Sequence, residues 1–154
     1  MDFSEYTKIL KDCITYYLVI LAVLTPFFLS AEIIYLRSKK LGRKKKRKAE
    51  KEANIGVFGF ILVLALISYA TIPAAIDMVN ENYVSVHGEY YTSKGRLRTD
   101  VYVTTDDGEK ISLTVPNGGG VMKNGNVPSG EHTGTIWYAE KSKYILEFIP
   151  DEAS

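Results

Sequence analysis

The chain has 154 residues, a net charge of +1 at pH 7, 46% hydrophobic residues and one cysteine. A single cysteine excludes an intrachain disulfide, and the near-neutral total hides segments of opposite charge. Residues 37–53 hold ten Lys/Arg against two Asp/Glu, or +8, whereas residues 79–154 hold seven against eleven, or −4.

Residues 1–13 precede the first apolar run and carry only Lys8 and Lys11 as basic residues. Cys13 follows Lys11-Asp12 and not an apolar stretch ending in small residues, so it reads as an inert interfacial thiol and not a lipid attachment site. Residues 14–36 form the first run, with Glu32 as its only formal charge. Twenty-three helical residues rise about 35 Å against a hydrocarbon core of about 30 Å, which predicts a membrane span. The run is too long, and its N-terminal flank too poor in basic residues, for a cleaved signal peptide. Tyr16, Tyr17 and Tyr35 sit near its ends, where amphipathic rings suit the headgroup region. Pro26 is expected to bend the helix, with Thr25 or a partner helix satisfying the freed carbonyl. Glu32 lies about a turn from Arg37. One reading has it snorkel and pair with Arg37, Lys39 or Lys40, or stay protonated; the other makes it an intramembrane polar contact or proton site.

The basic connector, residues 37–53, contains Arg43, Lys44, Lys45, Lys46, Arg47 and Lys48 in succession. Short loops rich in Lys/Arg stay in the cytoplasm, which predicts both termini on the outer side of a plasma membrane, as in a bacterial cell envelope. Without an aromatic residue to stack a base, the run reads as a topogenic signal and a contact for anionic lipid headgroups, and no nucleic-acid partner is expected. Residues 54–78 are the second span. Ala70 and Ala74, and Thr71 and Ala75, are four apart and predict a packing face for the first span, with self-association or a foreign helix as the alternative. Asp77 is expected at the outer boundary, cheaply hydrated.

From residue 79 the periodicity changes to alternation with turn punctuation, predicting strands at 83–91, 97–104, 110–115, 135–140 and 144–149. Asp106-Asp107-Gly108 predicts a hairpin turn, and residues 116–134, rich in Gly, a long loop. The predicted fold is a membrane helical hairpin followed by a small extracytoplasmic β domain of about five strands, closed as an OB-like or SH3-like barrel or strongly bent. His87 and His132 are the only histidines, no metal-ligand spacing is present, and Ser129-Gly130-Glu131-His132 places neighbours on a loop where a nucleophile and base would not face one another. No cofactor and no enzymatic activity are expected. Tyr102, Trp137 and Tyr138 are the candidate partner-binding residues, since Tyr and Trp are frequent interface anchors. The resulting expectation is a membrane protein whose outer domain binds another protein, as an immunity protein against an envelope-active toxin or an accessory subunit of an envelope complex. A small transporter or channel subunit using Glu32 is the alternative. Small bacterial membrane proteins with an extracytoplasmic β domain are similar in architecture alone.

Overall fold

The computed structural model describes residues 3–38, 43–94, 99–116 and 130–151. Two long helices, α1 (Ser4–Ser38) and α2 (Arg43–Asn80), precede five strands: β1 (Tyr83–Lys94), β2 (Thr99–Thr105), β3 (Lys110–Thr114), β4 (Glu131–Ala139) and β5 (Ile145–Pro150). The chain divides into two compact units, one of Met1–Tyr16 with Ala70–Ser154, the other Tyr17–Tyr69.

In the first unit the strands form one antiparallel sheet in the order β3-β2-β1-β4-β5. Alternation puts Tyr90, Val101, Val103, Leu113, Ile136 and Phe148 on a common inner face, where they make the core with Tyr138 and Ile145. Gly88 pairs with both Thr105 and Gly134, and Gly134 pairs with Pro150, so one line of residues crosses four strands. A Cβ on Gly88 would lie 2.1 Å from the Thr104 carbonyl oxygen, and one on Gly134 2.5 Å from that of Ile149. Backbones approach this closely only where side chains are absent, so this line of the sheet leaves no room for a Cβ at either glycine. The two edges of the sheet touch at one parallel bridge, Thr114 to Tyr144, where the Thr114 N–H donates to the Lys143 carbonyl at 2.9 Å. The sheet is open and not the barrel the strand count implied: β3 ends where the bridge forms, so no ladder can propagate between β3 and β5. The β2–β3 turn is as expected, with Gly108 at φ 81° and the Thr105 N–H bonded to the Glu109 carbonyl. Residues 131–134, expected in a loop, belong to β4; of that loop, 117–129 lie outside the described residues.

Both helix ends in this unit are built into it. Tyr6, Ile9, Leu10 and Cys13, spaced as one helical stripe, are all buried. Phe3 and Tyr6 stack near Tyr83 and Trp137, the Tyr6 hydroxyl donates to Glu147, and Thr7 Oγ1 lies 2.9 Å from the Tyr83 hydroxyl. The N-terminal segment is thus a cover for the sheet and not a mere flank. Asp77 corrects its expectation most plainly. It is 0% exposed, and its carboxylate accepts from the Lys141 N–H at 3.0 Å, the Ser142 N–H at 2.7 Å and the Ser142 hydroxyl at 2.8 Å. Three donors replace the water this carboxylate was expected to keep.

In the second unit α1 and α2 expose large apolar side chains, including Phe27, Leu29, Phe58, Leu62 and Tyr69. Phe28 packs on Phe60 with ring centroids 5.0 Å apart and approaches Gly59. The helix runs through Pro26, and Thr25 Oγ1 donates to the Leu21 carbonyl at 2.7 Å, one residue before the carbonyl that the proline frees. Much of the expected connector is helical, since α1 reaches Ser38 and α2 begins at Arg43.

Candidate functional site

The face of the sheet opposite the core is divided in two. At one end Tyr83, Trp137 and Glu147 lie under Phe3 and Tyr6 of α1. At the other end Tyr91 and Tyr102 are direct cross-strand partners on β1 and β2 and are 52% and 50% exposed. They stand in a shallow groove of about 610 Å³ whose outer-face residues include Glu89, Thr104, Lys110, Ser112 and Glu131. Two adjacent aromatic rings in an open groove expose apolar surface that packing within the sheet leaves uncovered.

The predicted aromatic residues therefore separate. Tyr102 is on the open face, as its alternation against Val101 and Val103 requires. Trp137 is half-buried beside Phe3 and Tyr6, and Tyr138 is a core residue whose ring carries the Lys143 ammonium 5.1 Å from its centroid. Tyr138 is buried because the alternation of β4 turns it to the same inner face as Ile136, in unbroken register with Val84 of β1. Tyr91, within the predicted first strand, was not singled out; its pairing with Tyr102 depends on a register that no local pattern encodes. Tyr90 points inward, stacked on His132 and edge-on to Phe148, and burial pushes its hydroxyl up to about 12.

His87 forms the second polar constellation. Its Nδ1 is 2.8 Å from Asp106 Oδ2 and its Nε2 3.2 Å from both oxygens of Asp151, so an imidazole on β1 links the β2–β3 turn to the residue after β5. The Asp106 and Asp151 carboxylates raise its pKa above the usual histidine value. Among the described residues no group of three His, Cys, Asp or Glu is arranged to hold a metal ion. Ser129 lies outside the described residues, and His132 is engaged with Tyr90.

On the helices, Glu32 borders a cleft of about 100 Å³ with Thr25, Phe28, Leu29, Val57 and Phe60. Among the described residues no ion pair includes it; Lys39 and Lys40 are outside them. Arg43, Lys44, Lys45, Lys46, Arg47 and Lys48 open α2, where Lys48 pairs with Glu52 at 3.8 Å across one turn. Ala74 of the expected packing stripe is fully buried, and the Ala70 carbonyl accepts from the Tyr144 hydroxyl at 3.5 Å, so this stripe lies within the sheet unit. Comparison with known proteins gives no match among family models, curated proteins or solved structures.

Proposed function

We propose that this chain is a two-span membrane protein of a bacterial cell envelope whose β unit, on the outer side, binds another protein through the Tyr91–Tyr102 groove. The observation that carries the reading is the paired exposure of these two rings. Tyr90, Trp137, Tyr138 and Tyr144 each serve the interior or the α1 cover, and these two do not. Tyr and Trp anchors of this kind supply much of the energy of protein interfaces. Roles as an immunity protein against an envelope-active toxin, or as an accessory subunit of an envelope complex, both use such a surface without chemistry.

The helices support the membrane half of the reading. From Tyr17 to Leu36 there are 20 residues, about 30 Å of helix and one hydrocarbon thickness. On α2 the lipid-facing stretch ends near Tyr69, because Ala74 and Asp77 beyond it are buried. The basic start of α2 belongs on the cytoplasmic side, near anionic headgroups. In a Cys13→Ser background, Asp107→Cys is expected to react with an impermeant thiol reagent on intact spheroplasts and Lys48→Cys only after lysis. Reaction of Lys48→Cys without lysis would reverse the orientation.

Partner binding is tested by crosslinking and copurification from mild detergent. A stoichiometric protein should copurify with the full chain and be lost from Tyr91→Ala/Tyr102→Ala, with folding intact. The Glu32 cleft favours a second reading, a transporter or channel subunit. Under the first reading Glu32→Gln leaves partner capture unchanged; lost activity at normal membrane levels would promote the second.

A further inference from the structure

The β1 strand is longer than its partner on one side. It pairs with β4 along Tyr83 to Tyr91, but with β2 only from Gly88 onward, so one edge of β1 is uncovered over residues 83–87. The direction of its backbone groups follows from the ladder. The Thr92 N–H donates to the Gly130 carbonyl and the Asn82 carbonyl accepts from the Glu140 N–H, so even-numbered residues of β1 turn their polar groups to the β4 side. Odd-numbered residues face the other way, and the N–H and C=O of Ser85 point to the uncovered edge.

That edge opens on a groove of about 340 Å³ beneath the β2–β3 turn. Its floor is apolar: Val84, Val86, Ile111 and Tyr138. Its rim is acidic, with Asp106, Asp107 and Glu109 on the turn. The contact of His87 with Asp106 at 2.8 Å fixes the turn beside the strand. Exposed strand edges are usually protected by lysines, prolines or a covering element, because they invite pairing with another chain. Here the edge has a shaped floor and carboxylates in place of lysines.

We propose that this groove is a strand-addition site: an extended segment of a partner protein, alternating aliphatic with Lys or Arg residues, pairs with the free edge of β1 and continues the row occupied by β2. Aliphatic side chains of the segment lie on Val84, Val86 and Ile111. The alternate cations meet Asp106, Asp107 and Glu109, while main-chain hydrogen bonds to Ser85 supply sequence-independent affinity. Charge selects the occupant. A second copy of this domain is itself acidic, at −4 over residues 79–154, and is repelled, whereas a basic segment is attracted. The site rests on the reading of the β unit as a protein-binding module, and of its lining residues it shares Ile111 alone with the Tyr91–Tyr102 groove.

The test uses the ¹⁵N-labelled full chain in nanodiscs of neutral lipid, titrated with acetyl-Val-Lys-Val-Lys-Val-amide and with the Glu-for-Lys counterpart. The Lys peptide is expected to shift the Ser85 and Gly108 amides saturably and the Glu peptide to bind at least about tenfold more weakly, as repulsion at close range predicts. Ser85→Pro deletes an N–H aimed at the centre of the free edge and should weaken the Lys peptide about tenfold. Because proline at that position can unsettle the strand, Asp107→Lys/Glu109→Lys, both exposed, serves as a second variant and should reverse the preference between the peptides. Absence of saturable shifts, equal binding of both peptides, or an unchanged preference in the charge-reversed variant overturns the proposal. Partner capture lost in Tyr91→Ala/Tyr102→Ala is read in a separate assay, so failure here is distinguishable from failure of the module reading.

Discussion

The two units handle the same kinds of side chain in opposite ways. In the sheet unit Val101, Leu113, Ile136 and Ile145 are each 0% exposed, whereas in the helical unit Phe27, Phe58 and Tyr69 are 69%, 70% and 83% exposed. In the first the protein itself provides the apolar surroundings that take these side chains out of water. In the helical unit much of the large apolar surface of both helices, Phe27 and Phe58 among it, has no such surroundings among the described residues. Among its described residues this unit is all helix, long and apolar enough to cross a membrane, and helix is the structure that satisfies backbone groups internally, as a lipid phase would require.

Truncations on the two sides should break this symmetry of composition into an asymmetry of effect. Leu113→Ala leaves a cavity in a core with no other filler and is expected to cost about 2–5 kcal/mol. Phe58→Ala exchanges one apolar contact for a lipid contact and is expected to cost less than about 1 kcal/mol. Both are read by thermal unfolding of the full chain in nanodiscs, followed through the fluorescence of the single tryptophan, Trp137. Equal losses would mean that Phe58 is buried by protein and that the helical unit is not lipid-facing.

The next effect concerns Asp77, set against Glu32. Asp77 is saturated by donors from residues 141 and 142, whereas Glu32 sits in an apolar cleft. Asp77→Ala strands two backbone N–H groups and should destabilise the sheet unit by about 2–4 kcal/mol; Asp77→Asn, which retains one acceptor, should lose less. Limited proteolysis at the β4–β5 turn checks this, and wild-type resistance in Asp77→Ala would show that the carboxylate is dispensable.

How much of this was legible follows from the range of each signal. The spans are local, contiguous and long, and the β2–β3 hairpin is announced by alternation and by Asp106-Asp107-Gly108, so both were read from the sequence. The inward stripe of Tyr6, Leu10 and Cys13 has helical spacing, but its target is a sheet far along the chain, with Glu147, the partner of Tyr6, 141 residues away, which spacing does not encode. Asp77 was misread for the same reason: its donors are 64 and 65 residues away. Gly134 reads locally as loop punctuation, yet it is a strand residue, and only its pairing with Gly88 gives it meaning. Of the candidate anchors, Tyr102 is placed by the alternation of its hairpin; Tyr138 alternates just as regularly with Ile136, but which face of β4 is the inner one depends on its pairing with β1, which local pattern does not encode.

Smaller in energy, but decisive for function, is the contrast between the open and the covered parts of the outer face. Tyr102→Ala is expected to weaken partner capture by about 1–2 kcal/mol while leaving the unfolding temperature nearly unchanged. Trp137→Phe, under the α1 cover, should do the reverse and lower stability without altering capture. If Trp137→Phe impairs capture in a fully folded protein, the covered end is the binding surface and the two halves exchange roles.

The least effect is expected from His87, and its sign is fixed by the geometry. Both ring nitrogens face carboxylates, Asp106 on one side and Asp151 on the other, so the imidazolium donates twice where neutral imidazole donates once. The folded-state pKa is therefore raised above the unfolded value, and the contribution is fully present below the unfolded pKa of about 6.5 and is lost as pH rises through the folded pKa. Exposure of the side chains to solvent keeps it small, since water and salt screen the pair. Unfolding of the wild type and of His87→Gln, compared from about pH 5, where both carboxylates remain largely ionised, to about pH 9, should show a wild-type advantage at the acid end that vanishes at the alkaline end. An advantage independent of pH would mean that the ring acts by packing alone, and an advantage growing with pH would mean that it is held neutral.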